Sequence, residues 1–292
     1  MAPTYDTVTF LSDYGLVDEF VGIIHSVIRS LAPAAHVIDL THQIPPYDVR
    51  AGGLALARST PYLCPGVALA VVDPGVGTAR RGIAVEVGDG ASVLVGPDNG
   101  LLAPAVAMCG GPTTIVELTN AEYQLETPGA TFAGRDVFAP AAAHLCAGVP
   151  LTELGPVVDP TSLMPGLLPV ARHEDGALIA EVLWVDQFGN AQLNVDVADV
   201  EPLGDRVHLQ IGDRSRTANR LTAYADIAVG QVGLVVDSYG LVSVAVDRRS
   251  AASELGLHPG TEVRLDPFAG DDDNDLDAVA SPVALGTKDA RR

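Results

Sequence analysis

Five prolines between Pro150 and Pro169 divide the chain into two halves that follow different folding patterns. Proline fixes φ and removes a backbone donor, so this density interrupts any long helix or central strand and marks a linker. Ahead of it, strand-like and helical patterns alternate. TVTFLS (7–12) reads as a buried strand, and Val17, Phe20, Val21, Ile24, Val27, Ile28 and Leu31 then repeat at helical spacing until Pro33. HVIDL (36–40), a helical segment from Asp48 to Arg58, the apolar run Val67 to Val72, GIAVEV (82–87) and SVLVG (92–96) continue the pattern, with helical stretches after Asn99 and Asp136. Near-continuous apolar strands alternating with helices predict an α/β domain whose largely parallel sheet is covered on both faces. Beyond Gly176 the segments ALIAEVLWVD, NAQLNV, RVHLQI, VGLVVDS, LVSVAVD and TEVRLD are short, valine-rich and separated by glycine or charged turns, which predicts a small β-barrel. The expected division is an α/β domain over 1–160, a linker over 161–175, a barrel over 176–268 and a disordered acidic tail over 269–292 containing GDDDNDLD. No internal repeat is visible.

Composition narrows the function. Thirty-seven acids against 17 bases give a formal charge of −20, which argues against nucleic acid or an anionic membrane surface as partner and leaves cationic ligands open. Cys64, Cys109 and Cys146 lie far apart without a CxxC pair, so neither a cysteine-based zinc site nor a disulfide framework is expected, and no metal is assigned. The opening MAPTYDTVTF lacks a basic leader region, and no stretch reaches the roughly 20 apolar residues of a spanning helix. A soluble, cytoplasmic protein is the expectation.

The stretch VVDPGVGTARRG (71–82) follows a buried strand with glycines, as anion-binding loops do, yet it does not suit a phosphate. Its first polar group is the carboxylate of Asp73. The chain's lysine, Lys288, is far from it, and Gly82 comes too late after Gly75 and Gly77 for a dinucleotide fingerprint. Ligands of open α/β sheets sit beyond the carboxyl ends of the strands, where Asp13 and Asp73 both fall. Alone, either acid is an ordinary cap or turn residue. Together they suggest a site, and a strand-end carboxylate can accept both hydroxyls of a ribose.

Seven motifs in order, FLSDYGLVDEF, DLTHQIPPYDVRAG, VVDPGVGTARRG, GPDNGLL, TFAGRDVFAP, VDQFGN and DSYG, resemble those of the S-adenosylmethionine (SAM) hydroxide adenosyltransferases, hydrolase relatives of fluorinase and chlorinase. The resemblance spans 7–267. It implies an N-terminal α/β domain, a C-terminal β-barrel, and a homotrimer with each site between one subunit's N-domain and its neighbour's C-domain. It further implies SAM as substrate rather than cofactor, with adenosine and L-methionine as products. Carried onto this chain, Asp13 would hold the ribose diol, Tyr47 and Phe132 would line the nucleoside pocket, and Phe188 and Asn190 would contact adenine. Asp18, Asp186 and Ser238 would hold the methionine moiety. Tyr239 stands where fluorinase has arginine, and Val246 to Arg248 would offer backbone to the adenine edge.

By the same resemblance, Asp73 and Arg80 hold a water near C5′ of the ribose. The leaving sulfonium departs as neutral methionine and needs no acid, so the requirement is an oriented nucleophile. Halogenases place an uncharged side chain at this point. A halide about 4 Å from the Asp73 carboxylate would be repelled by about 4 kcal/mol at an effective dielectric near 20, which disfavours halide transfer. One departure stands out: the hydrolases carry histidine third in TFAGRDVFAP as part of the catalytic set, and here that residue is Ala133. None of His25, His36, His42, His144, His173, His208 and His258 is a clear substitute by position. An enzyme with reduced activity and a silent SAM- or adenosine-binding protein are both compatible with the substitution.

Overall fold

Strand β1 (Thr7–Ser12) is buried along its whole length and organises the first half of the molecule. The computed structural model describes residues 5–268; the expected acidic tail, 269–292, lies outside them. After β1 come α1 (Phe20–Leu31), β2 (His36–Thr41), α2 (Val49–Ser59), β3 (Val67–Val71), β4 (Gly82–Val87), β5 (Ser92–Pro97), α3 (Ala103–Met108), β6 (Pro112–Glu117) and α4 (Ala139–Cys146). The strands form one sheet in the order β2-β1-β3-β5-β4-β6. Successive side chains of β1 point to opposite faces, as the pleat requires. Val8 and Phe10 enter a core with Ile24 and Ile28 of α1 and Ala141 and Leu145 of α4, while Leu11 enters another with Leu56 of α2 and Leu101. The sheet is therefore covered on both faces, as the apolar runs predict.

Three details differ from the sequence reading. Strands β4 and β5 pair antiparallel, because Gly88 to Ala91 are too few residues for the crossover that parallel strands need. Gly88 and Asp89 take φ of +59° and +53°, the left-handed conformation of a tight hairpin turn. Strand β6, whose threonines interrupt its apolar pattern, was not anticipated; it pairs antiparallel with β4. Val17 belongs to no helix and is 99% exposed, since α1 begins only at Phe20.

The second half adds β7 (Arg172–Glu174), β8 (Ala177–Val185), β9 (Ala191–Asp196), β10 (Arg206–Ile211), β11 (Arg214–Leu221), β12 (Val232–Val236), β13 (Leu241–Val246) and β14 (Glu262–Pro267). The order β14-β10-β11-β12-β13-β9-β8 closes through a β8–β14 pairing into a seven-stranded barrel, with β7 beside the first part of β8. Closure removes the edges that an open sheet would expose. Strand β11 (RSRTANRL) is too polar to read as a strand, but it is held between β10 and β12. Of the proline-rich stretch, Val157 bridges to Val116 and the Met164 N–H donates to Asp98 at 2.9 Å, so this segment lies against the first sheet. The two halves also meet through Arg50, whose guanidinium donates to Glu181 at 2.5 Å, and Arg58, which stacks 4.3 Å above the Trp184 ring.

Phe10 is fully buried at the centre of the first core. Phe10→Ala is expected to cost about 3–5 kcal/mol, read as a lower urea midpoint with an unchanged slope.

Candidate functional site

Parallel pairing of β1 with β3 matches Ser12 to Val71, so the residues that follow leave the sheet side by side at its carboxyl edge. Asp13 follows Ser12 directly, and Asp73 lies two residues beyond Val71. The Asp13 N–H donates to the Val71 carbonyl at 3.3 Å. Beyond Asp73 the chain folds into successive turns: Val76 N–H to the Asp73 carbonyl at 3.2 Å, Thr78 N–H to the Gly75 carbonyl at 3.2 Å, and Arg80 N–H to the Thr78 hydroxyl at 3.3 Å. Gly77 supplies the left-handed φ of +78° inside this loop. The path returns Arg80 to Asp73. Its Nε donates to Oδ1 at 3.0 Å and Nη2 donates to Oδ2, a two-pronged charge-assisted pair. Arg80 is fixed further by donating to its neighbour's carbonyl at 2.9 Å and by the Phe138 ring 5.2 Å away.

The Asp73 side chain is only 6% exposed. Burial raises its pKa above the ordinary carboxylate value; Arg80 and the Gly75 N–H oppose that rise, and the neighbouring Asp13 charge adds to it. An ionised carboxylate in this position gains from any further hydrogen-bond donor.

Asp73 opens into a cavity of about 500 Å³ lined also by Asp13, Tyr14, Phe20, Tyr47, Phe132 and Ala133. Tyr47 holds a left-handed φ of +67°, uncommon for a bulky residue, and its N–H donates to Asp13 Oδ2 at 2.9 Å. Strain of this kind concentrates where a site is held in shape. Ala133 caps a π-helical turn, Gly134–Phe138, which runs directly into α4. Such turns recur at functional sites. Gly134 is needed for close approach, since a Cβ there would meet the Tyr14 hydroxyl oxygen at 2.1 Å. Burial, with the charges of Asp13, Asp73 and Asp136, raises the Tyr14 pKa strongly, so its phenol stays protonated and remains a donor. In the sequence Tyr14 is only one letter of FLSDYGLVDEF; the charges around it distinguish it.

The other expected residues gather elsewhere. Asp186, Phe188, Asn190, Ser238, Tyr239, Val246 and Arg248 line a cavity of about 900 Å³ on the barrel, together with Trp184, Tyr224 and Asp237, which the sequence reading had not singled out. Asp186 accepts from the N–H groups of Phe188 and Asn190 at 2.9 and 2.8 Å and from the Asn190 amide at 2.8 Å, so its carboxylate holds the turn that presents Phe188. Phe188 is 70% exposed. Asp237 similarly gathers Gln192, Tyr239 and Ser243. The two cavities share no lining residue, and Asp18 is exposed and lines neither.

Comparison with known proteins follows the same division. The SAM hydroxide adenosyltransferase N-terminal domain matches residues 8–155 and the corresponding C-terminal domain matches 180–264. The chain is similar to an (R)-S-adenosyl-L-methionine hydrolase of Salinispora tropica, 48% identical over 265 residues that cover 91% of this chain and 99% of that protein. A protein of the same name from Thermus thermophilus is 42% identical over 272 residues, covering 91% of this chain and all of the relative (100%). Among solved structures, an uncharacterised conserved protein from Thermotoga maritima superposes with a TM-score of 0.82 at 33% identity, covering 89% of this chain and 99% of its own.

Arg80→Met leaves the Asp73 charge buried without its partner, and the expected loss of stability is about 3–5 kcal/mol at neutral pH. Without Arg80 the folded-state pKa of Asp73 rises further, while the unfolded carboxyl titrates near 3.9. Between those values the folded variant takes up a proton that the unfolded chain does not, so its stability rises as pH falls. Urea unfolding of variant and wild type at about pH 7 and about pH 5 should show the deficit shrinking in acid.

Proposed function

Because this chain belongs to the SAM hydroxide adenosyltransferase family, we propose that it hydrolyses S-adenosyl-L-methionine to adenosine and L-methionine by attack of water at ribose C5′. The observation that carries this reading is the buried Asp73–Arg80 pair facing a cavity beside Asp13. Asp73 accepts a hydrogen bond from the attacking water and turns its lone pair toward C5′. Arg80 holds the carboxylate in place and favours hydroxide character in the water. The new bond forms from water oxygen to C5′, the C5′–S bond breaks with its electron pair moving to sulfur, and the sulfonium becomes neutral methionine as water releases a proton. No cofactor enters the reaction so written. The names of the similar hydrolases support the R configuration at the sulfonium sulfur as the preferred one.

Asp13 then takes the ribose diol through the oxygen that Tyr47 leaves free, with Tyr47 and Phe132 against the nucleoside. Phe188, Asn190 and the Val246 to Arg248 backbone take adenine, while Asp186, Ser238 and Tyr239, with Asp18, take the methionine moiety. These groups divide between two cavities of one chain, which favours sites formed where one subunit's first cavity meets its neighbour's second, in the homotrimer that the family resemblance implies. No helix among the described residues is long and apolar enough to cross a membrane.

Incubation with each sulfonium epimer separately should release adenosine and methionine in equal amounts, faster from the R form, and Asp73→Asn should abolish release. Adenosine binding without release would instead mark a silent binding protein. Ala133 lines the cavity, and restoring imidazole by Ala133→His is expected to raise turnover by about 10² to 10⁴-fold with adenosine affinity little changed. Mixing Asp13→Ala with Asn190→Ala protein should regain adenosine release after subunit exchange; no regain despite demonstrated exchange would put each site within one chain.

A further inference from the structure

Behind the turn that carries Asp13, three side chains from α1, β2 and the bend directly after β2 converge on one point. Asp39 Oδ1 lies 2.8 Å from Nε2 of His25 and 3.0 Å from Nε2 of His42, and the three atoms all lie within 4.8 Å of one another. His42 is 4% exposed, and its Nε2 is buried without a well-directed hydrogen bond: the Asp39 oxygen is near, but off the line that an N–H would take. The other ring nitrogen is engaged, with Nδ1 2.8 Å from the Ser12 hydroxyl. Phe10, 4.5 Å from the His42 ring, closes the apolar side. His25 and Asp39 are partly exposed, so the point of convergence has an opening to solvent.

We propose that His25, Asp39 and His42 form a binding site for a divalent transition-metal ion of the zinc class, distinct from the cavity that holds Asp73. A buried polar atom whose one near partner is poorly directed is weakly satisfied, and an ion between the three side chains would use the lone pair of His42 Nε2. Two imidazoles and a carboxylate are the donor set of open zinc sites, whereas calcium and magnesium prefer an all-oxygen shell. Ligands of a tetrahedral ion bound at about 2.1 Å lie roughly 3.4 Å apart, so the two Asp39 separations must open by about half an ångström, while the imidazole nitrogens, within 4.8 Å of one another, adjust to the same spacing. His25, on the solvent side of α1, can supply that movement. Nδ1 of His42 would donate to Ser12, the outer hydrogen bond that orients a metal-bound imidazole.

The site also has a mechanical consequence. The Ser12 hydroxyl accepts from the Tyr14 N–H at 3.3 Å, and the Gly15 N–H donates to the His42 carbonyl at 2.8 Å. An ion would thus tie α1 to β2 and brace, from behind, the turn that delivers Asp13 and Tyr14 to the first cavity. It takes no part in the hydrolysis proposed above, and its test does not depend on that reaction.

The test is titration of chelator-treated, full-length protein with cobalt(II), followed by its visible d–d bands, and with zinc, followed by calorimetry. The expected result is one ion per chain, with intense cobalt bands of low-coordinate geometry that zinc abolishes. His25→Asn and Asp39→Asn, each checked for an intact fold by circular dichroism, should weaken binding by at least about 100-fold, and Ser12→Ala by about 10 to 100-fold. Absence of binding to the wild type, or affinity unchanged in either ligand variant, overturns the assignment; the latter would place the ion elsewhere on this acidic chain.

Discussion

The Asp73–Arg80 pair is the interaction on which the site's construction turns. A carboxylate this deeply buried at the end of a strand must have its charge balanced, and the balancing group comes from only a few residues further along the chain. Returning Arg80 to Asp73 dictates the tight turns at Gly75 to Thr78 and sets where β4 begins. Phe138, packed beside the guanidinium, brings the π-helical turn and Ala133 to the same place. One ion pair thus links the third strand, the hairpin and the helix entry around a single cavity.

The sheet adds the second requirement. Adjacent parallel strands end at the same edge, so β1 delivers Asp13 and Tyr14 next to Asp73 without any long-range device. Like-charged neighbours raise each other's cost of ionisation, and Asp13 does contribute to the raised pKa of Asp73. Asp73 is balanced by Arg80, and Arg135 also lines the cavity, so Asp13 is the acid left to face a positively charged ligand such as a sulfonium. The left-handed Tyr47, held by its bond to Asp13, and the close approach of Tyr14 to Gly134 show the same economy: local strain and missing side chains occur where the cavity is shaped.

Much of this was legible in the sequence, for identifiable reasons. Long apolar strands such as VALAV and the amphipathic spacing of α1 carry their own signal, and the proline cluster separates two patterns that cannot mix. Strands β6 and β11 were illegible because their residues are polar and their pairing is decided by neighbours distant in sequence. The antiparallel β4 was legible only through the short turn after it. Among site residues, strand-end acids announce themselves by position, whereas Tyr14, Trp184 and Asp237 gain meaning only from what surrounds them. The His25, Asp39 and His42 cluster has no recognisable spacing at all, since it depends on a helix crossing an edge strand.

Water held at Asp73 and Arg80 attacks C5′ directly, and the Asp73 carboxylate does not itself form an ester with that carbon. A single turnover in water labelled with heavy oxygen, with enzyme in excess over substrate, separates the two routes when adenosine is examined by mass spectrometry. Direct attack puts the label in the 5′-hydroxyl of adenosine in that first turnover. First-turnover adenosine without label, its oxygen taken from the carboxylate, would overturn direct attack by water.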